Sequence, residues 1–141
     1  MFTGPIKTEW LPDGCTMRLL STTVYRAPQG VEWIASEGDL VNGASIPRVL
    51  WRSVGCPYVG TYRVASVYHD VACHYRDRPH GQVHQMFFDC MVECGVGVAR
   101  ARLMADAVEA FGPRWTGDGL VTQEDASPVG NVDFDDAEFV A

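Results

Sequence analysis

The sequence predicts a small α+β domain: an N-terminal antiparallel β-hairpin or three-stranded sheet packed on three α-helices, with an acidic extension behind it. Three observations carry that reading. β-branched and aromatic residues concentrate between residues 15 and 41 around a Pro/Gly turn. Apolar residues then recur at helical spacing in three stretches between residues 62 and 111. From Trp115 onward there is no Lys or Arg at all.

The elements follow in chain order. Met17–Tyr25 and Val31–Ala35 flank Ala27-Pro-Gln-Gly30 and read as a hairpin, and Asp39–Val41 adds a short third strand. Asn42-Gly-Ala-Ser-Ile-Pro47 is a loop, since Asn-Gly and Ile-Pro both mark turns. Pro47 can open one helical turn through Trp51. Gly55–Gly60 is a second loop, and Thr61 caps the helix that follows.

The first helix, Tyr62–Tyr75, carries its stripe on Val64, Ala65, Tyr68, Val71, Ala72 and Tyr75, with His69 on its border and Asp70 further round. After the turn Arg76–Gly81, the second helix, Gln82–Cys94, buries Val83, Phe87, Cys90, Met91 and Cys94, and His84 borders that stripe. Gly95-Val-Gly97 breaks the chain. The third helix, Val98–Phe111, is expected to bury Leu103, Ala107 and Phe111 before Gly112-Pro113 stops it. Trp33, Trp51 and Trp115 read as core or interface anchors, and Trp10 as either.

At 141 residues the chain suits one domain with a genuine core, set at residues 1–115, and an acidic tail over 116–141. The net charge of −7 belongs to that tail. Seven of the eighteen acids lie there, and the eleven that remain balance the eleven Lys and Arg of the body. A neutral body argues against phosphate-driven nucleic-acid binding. The tail's apolar islands, Leu120-Val121, Val132–Phe134 and Phe139-Val140, favour docking on a partner over folding alone. The first residues have neither a basic nor an apolar signal-peptide region, and no apolar run approaches membrane-spanning length. Five cysteines, an odd number, read as reduced thiols, with Cys90 and Cys94 as small core hydrophobes.

Two helices joined by a short turn lie antiparallel, so His69-Asp70 on the first meets His84 from the second. Three readings of that cluster stand. His69 and His84 form a hydrogen-bonded seam between the helices. Alternatively, His69 and Cys73, an i, i+4 pair, join His84, with Asp70 or a water as the fourth ligand, in a zinc site. In the third, His69, Asp70 and His84 form a hydrolytic site, since a His-Asp pair faced by a polar residue of the next helix is a layout that such sites use. His74 and His80 are expected on the polar side or in the turn. Ser45 lacks the Gly-x-Ser-x-Gly elbow of a serine nucleophile, and no phosphate-cradling loop is present.

The run Asn42-Gly-Ala-Ser-Ile-Pro-Arg-Val-Leu-Trp51, then Gly60 to His69-Asp70, Phe87-x-x-x-Met91-x-x-x-Gly95-Val96, Ala107-Val108 and Phe111-Gly112 resembles an uncharacterised phage and prophage family, domain of unknown function 1353. The match runs in order over residues 15–115 and implies a tailed-phage or prophage setting. The helix pair is also similar to that of phospholipase A2 enzymes. There a His takes a proton from the attacking water, the adjacent Asp holds Ca²⁺, and an Asp on the antiparallel helix orients the imidazole.

His69 and Asp70 match the first two roles. His84 stands where the acid is usual, Asn42 where the phage family often has Asp, and Cys73 where Tyr is usual. Gly55 and Gly60 lie too far apart for the calcium loop. Those departures favour a non-enzymatic virion component of the tail or baseplate, made in the host cytoplasm and docking on other virion proteins through the acidic tail. A metal-dependent hydrolase acting on the host envelope, with Ca or Zn, is the alternative.

Overall fold

A computed structural model describes residues 1–43, 46 and 62–115. The predicted turn at Pro47–Trp51, the Gly55–Gly60 loop, the Thr61 cap, Ser45, and the tail at 116–141 lie outside those residues. What is described is mixed α and β, with five short strands and three helices. The strands are β1 (Thr8–Trp10), β2 (Met17–Leu19), β3 (Thr23–Arg26), β4 (Glu32–Ala35) and β5 (Leu40–Val41), and they form two antiparallel sheets ordered β1-β2-β5 and β3-β4.

The predicted hairpin is present as β3–β4, with Tyr25 opposite Trp33 and Thr23 opposite Ala35. All four of these side chains face the core. The expected single strand over Met17–Tyr25 is instead two strands in different sheets. Met17, Leu19, Thr23 and Tyr25 all point inward, so the period-2 signal runs unbroken across the change. Only the hydrogen-bonding partners switch, from β1 and β5 to β4. The third strand, β5, accordingly pairs with β2 and not with the hairpin. Strand β1 was not predicted. It is a three-residue edge strand with no inward-facing alternation, and its Trp10 is exposed.

Helix α1 spans Arg63–Tyr75, α2 His80–Glu93 and α3 Val98–Phe111. Consecutive helices pack side by side, and α1 also lies on β4 and β5. Arg76 ends α1 in the left-handed region, at φ 56°, its N–H donating to the Ala72 carbonyl. Helix α2 starts two residues earlier than expected. Pro79 holds the cap position at φ −57°, and its carbonyl accepts the Val83 N–H. Ala65, Tyr68, Val71 and Ala72 of α1 and Val83, Phe87, Cys90 and Met91 of α2 are buried as their spacing predicts, whereas Tyr75 is exposed.

The predicted stripe of α3 is wrong by one helical face. Leu103 and Phe111 are exposed, and Ala101, Met104, Ala105 and Val108 are the buried set. Both stripes have helical spacing, and the sequence alone does not say which one α2 covers. Asp70, placed further round the helix than His69 by its spacing, is buried as well, and His80, expected on the polar side or in the turn, is half-buried. Trp33 and Trp115 are core residues. No described helix is long and apolar enough to cross a membrane.

The α3 correction has a direct mutational test. Met104→Ala should cost roughly 2–4 kcal/mol of unfolding free energy, as a buried methionine truncation does. Leu103→Ala should stay within about 0.5 kcal/mol, as exposed substitutions do. Denaturant titrations that reverse this order would restore the Leu103 face as the core face.

Candidate functional site

Helices α1 and α2 bring the two predicted histidines together. His69 is fully buried and His84 nearly so, and His69 Nε2 lies 2.9 Å from His84 Nδ1. The rings are 5.1 Å apart and tilted by 35°, with Phe87 against the other flank of His69 at 4.6 Å. On its far side, His84 Nε2 is 3.3 Å from the Pro113 carbonyl.

That carbonyl can only accept, and this assigns the protons of the neutral pair. Nε2 of His84 carries its hydrogen, so Nδ1 is the acceptor. His69 Nε2–H therefore donates to His84 Nδ1, and His69 Nδ1 is left as an acceptor. Cys73 Sγ lies 3.7 Å from Nε2 and 3.8 Å from Nδ1 of His69. Two nearly equal distances place the sulfur against the ring, not in line with either nitrogen.

Burial keeps this pair neutral. Desolvation, followed by the facing His84, holds His69 well below the usual imidazole range. Burial pushes His84 down to about 4; the Pro113 carbonyl partly opposes the shift, and His80 and Arg114 add to it. Glu109 comes within 3.9 Å of His84 Nε2, but its carboxylate is half-exposed and does not offset the burial.

Asp70 does a different job. Its Oδ2 accepts the backbone N–H of Asn42 at 2.7 Å and that of Gly43 at 3.2 Å, fastening the chain leaving β5 onto α1. Charge-assisted bonds to backbone N–H are among the stronger hydrogen bonds of a fold. A calcium cage needs oxygen ligands, and the described part of this loop offers Asp70 donors instead. Asn42, Asp70 and Cys73 line a cleft of about 550 Å³, together with Asp39, His74 and Arg76. Neither His69 nor His84 lines it.

Zinc held by His69, Cys73 and His84 would need the two nitrogens about 3.3 Å apart for tetrahedral bonds of 2.0–2.1 Å. They stand at hydrogen-bond distance instead. Among the described residues, no group of three or more His, Cys, Asp or Glu side chains is placed to hold a metal ion. Cys15, Cys73, Cys90 and Cys94 are thiols and not half-cystines.

A neighbouring cluster was not anticipated. His80 Nδ1 meets both the Trp115 carbonyl, at 2.7 Å, and the Trp115 N–H, at 3.1 Å. The indole Nε1–H donates to the Arg78 carbonyl at 2.6 Å, and Arg76 lies over the indole ring. These contacts dock the end of the described chain on the α1–α2 turn beside His84. The only sequence signal was Pro79, which starts α2 early enough to place His80 in its first turn.

The chain belongs to the family described as Protein of unknown function (DUF1353), which matches residues 17–108 and so includes His69, Asp70 and His84. It is 38% identical over 106 residues to the uncharacterized protein y4jT of Sinorhizobium fredii (strain NBRC 101917 / NGR234), covering 75% of this chain and 32% of that protein. It is 36% identical over 115 residues to the uncharacterized protein y4iH of the same organism, covering 81% of this chain and 48% of that one. The chain therefore spans about a third and about half the length of these two relatives. No solved structure matches.

The imidazole pair predicts a pH dependence. Both groups titrate below their unfolded value, so as the pH falls the unfolded chain binds protons that the folded chain does not. Their stabilisation is complete above about pH 6.5; for His84 it is lost as the pH falls towards about 4, at a cost of about 3 kcal/mol, and His69 adds a loss of the same sign. Urea titrations from pH 7 to pH 4 should show this loss, and His84→Gln should flatten it. A variant with the wild-type slope would show that the pair does not titrate as a buried neutral dyad.

Proposed function

We propose that this chain is a non-catalytic accessory subunit of a tailed-phage particle, in the tail or baseplate, docking on neighbouring virion proteins. The observation that carries the reading is the use made of the histidine–aspartate pair. His69 is fully buried and bonded to His84, and Asp70 binds the loop after β5 through two backbone N–H groups. Residues that a hydrolase would turn towards substrate hold elements of this fold together.

The chemistry supports the same side. A general base must reach the water it deprotonates and should titrate near the working pH. His69 is fully buried, is not among the residues that line the cleft, and is held well below the usual imidazole range. An acid in place of His84 would stabilise the imidazolium that forms during such a reaction, whereas a neutral imidazole does so weakly. The phage setting itself rests on the resemblance carried by the Asn42–Trp51 run and the His69-Asp70 pair.

A metal-dependent, phospholipase A2-like hydrolase of the host envelope is the second reading. One observation favours it: Asp70 and Cys73 both border a cleft large enough for a small ligand.

An assay with phospholipid vesicles and either Ca²⁺ or Zn²⁺ separates the two. The wild-type protein should release no more fatty acid than His69→Ala. That variant should instead lose roughly 2–4 kcal/mol of stability, because the deletion opens a cavity and strands a buried acceptor. Robust metal-dependent release that disappears in His69→Ala would put the hydrolase first. Proteomics of purified particles tests the location, and absence of the chain from them would sink the virion assignment.

A further inference from the structure

Helix α3 carries two apolar stripes, and the described fold buries one. Beside the buried set, Leu103, Ala107 and Phe111 recur every four residues along an outer face, with Leu103 67% and Phe111 50% exposed. At the helical rise this stripe is about 12 Å long. An arginine stands at each end: Arg100 before Leu103, and Arg114 beyond Phe111. The Arg114 guanidinium donates to the carbonyls of Glu109 and Ala110, which keeps its charge at the helix terminus.

The end charges discriminate between occupants. In a second α3 laid antiparallel across the stripe and centred on Ala107, Arg100 of each helix would face Arg114 of the other. Like charges so placed disfavour that pairing. An acidic segment with apolar side chains fits instead, and the chain carries one. Residues 116–141 hold seven acids and no Lys or Arg around three apolar islands.

We propose that the Leu103–Ala107–Phe111 stripe is the seat for the acidic C-terminal sequence, residues 116–141, of a neighbouring copy, so that copies join head to tail. The inference rests on the accessory-subunit reading and names the surface and the partner. Trp115, the last described residue, is held on α2 and on the α1–α2 turn, and its contacts there are with His80, Arg78 and His84 and not with the stripe. The apolar islands cover the stripe, and the acids meet Arg100 and Arg114. Such an interface joins two different surfaces, so it propagates until a ring closes or a filament forms.

Light scattering on the full-length protein, over a range of concentration and salt, tests this. The expected result is self-association that strengthens with concentration and weakens with salt. Leu103→Ser/Phe111→Ser should weaken it roughly tenfold or more, the loss expected when two apolar anchors leave an interface. Phe134→Ser/Phe139→Ser should do the same from the other side, with unchanged circular dichroism in both. Mixing the two variants should restore a dimer, because each supplies the half that the other lacks.

A wild type that stays monomeric at every concentration overturns the proposal. So does an oligomer indifferent to the stripe substitutions, or a monomer whose α3 amides depend on its own tail for protection. None of these results touches the accessory-subunit reading, which falls on lipid hydrolysis or on absence from particles.

Discussion

The hydrogen bond between His69 and His84 is the constraint around which the helical half is arranged. Two imidazoles buried without charge must satisfy their polar nitrogens inside the protein, because an unmet buried donor or acceptor costs about 1–3 kcal/mol. The Pro113 carbonyl fixes one proton, and that assignment passes through His84 to His69. The seam therefore ties three parts of the chain: α1, α2 and the segment leaving α3. A turn as short as Arg76–Pro79 keeps α1 and α2 adjacent, and the imidazole pair lies in their seam among the two buried stripes.

Asp70 extends the same logic to the sheet. One residue along α1 from His69, it turns its carboxylate to the backbone leaving β5, so neighbouring residues on one helix bind α2 and the β1-β2-β5 sheet respectively. A buried carboxylate is tolerable only where donors replace its water, and the Asn42 and Gly43 amides provide them. A His-Asp dipeptide thus has a structural account that needs no reaction. The cleft beside it is bordered by the carboxylate and by Cys73, while both imidazoles stay within the protein.

The outer face of α3 stands apart from this arrangement. Every other described helix directs its main apolar stripe into the core, whereas α3 has a second stripe in solvent between two arginines. Apolar surface of that length, with an arginine at each end and Asp106 beside it paired to Arg102, is suited to recognising a partly apolar segment whose acids reach the two ends. For a subunit of an assembly, that gives the fold an inward face held by the histidine seam and an outward face available to a neighbour.

Much of this was legible in the residues. The helical spacing of Ala65, Tyr68, Val71 and Ala72, and of Val83, Phe87, Cys90 and Met91, identified α1, α2 and their buried faces, because burial imposes a 3.6-residue period on one chain segment. The short turn then implied that His69 and His84 meet, and the ordered motifs gave the family. Tertiary structure decided what depends on two segments at once. Met17–Tyr25 keeps one inward parity while changing its partner strands, and parity carries no record of which strand accepts a hydrogen bond. Helix α3 offers two stripes of equal period, and the packing of α2 selects one. Asp70 reads as a candidate site carboxylate until the Asn42 and Gly43 amides, 28 and 27 residues away in sequence, close on it. Pairing, facing and desolvation are relations between distant segments, so they exist only once the chain has folded.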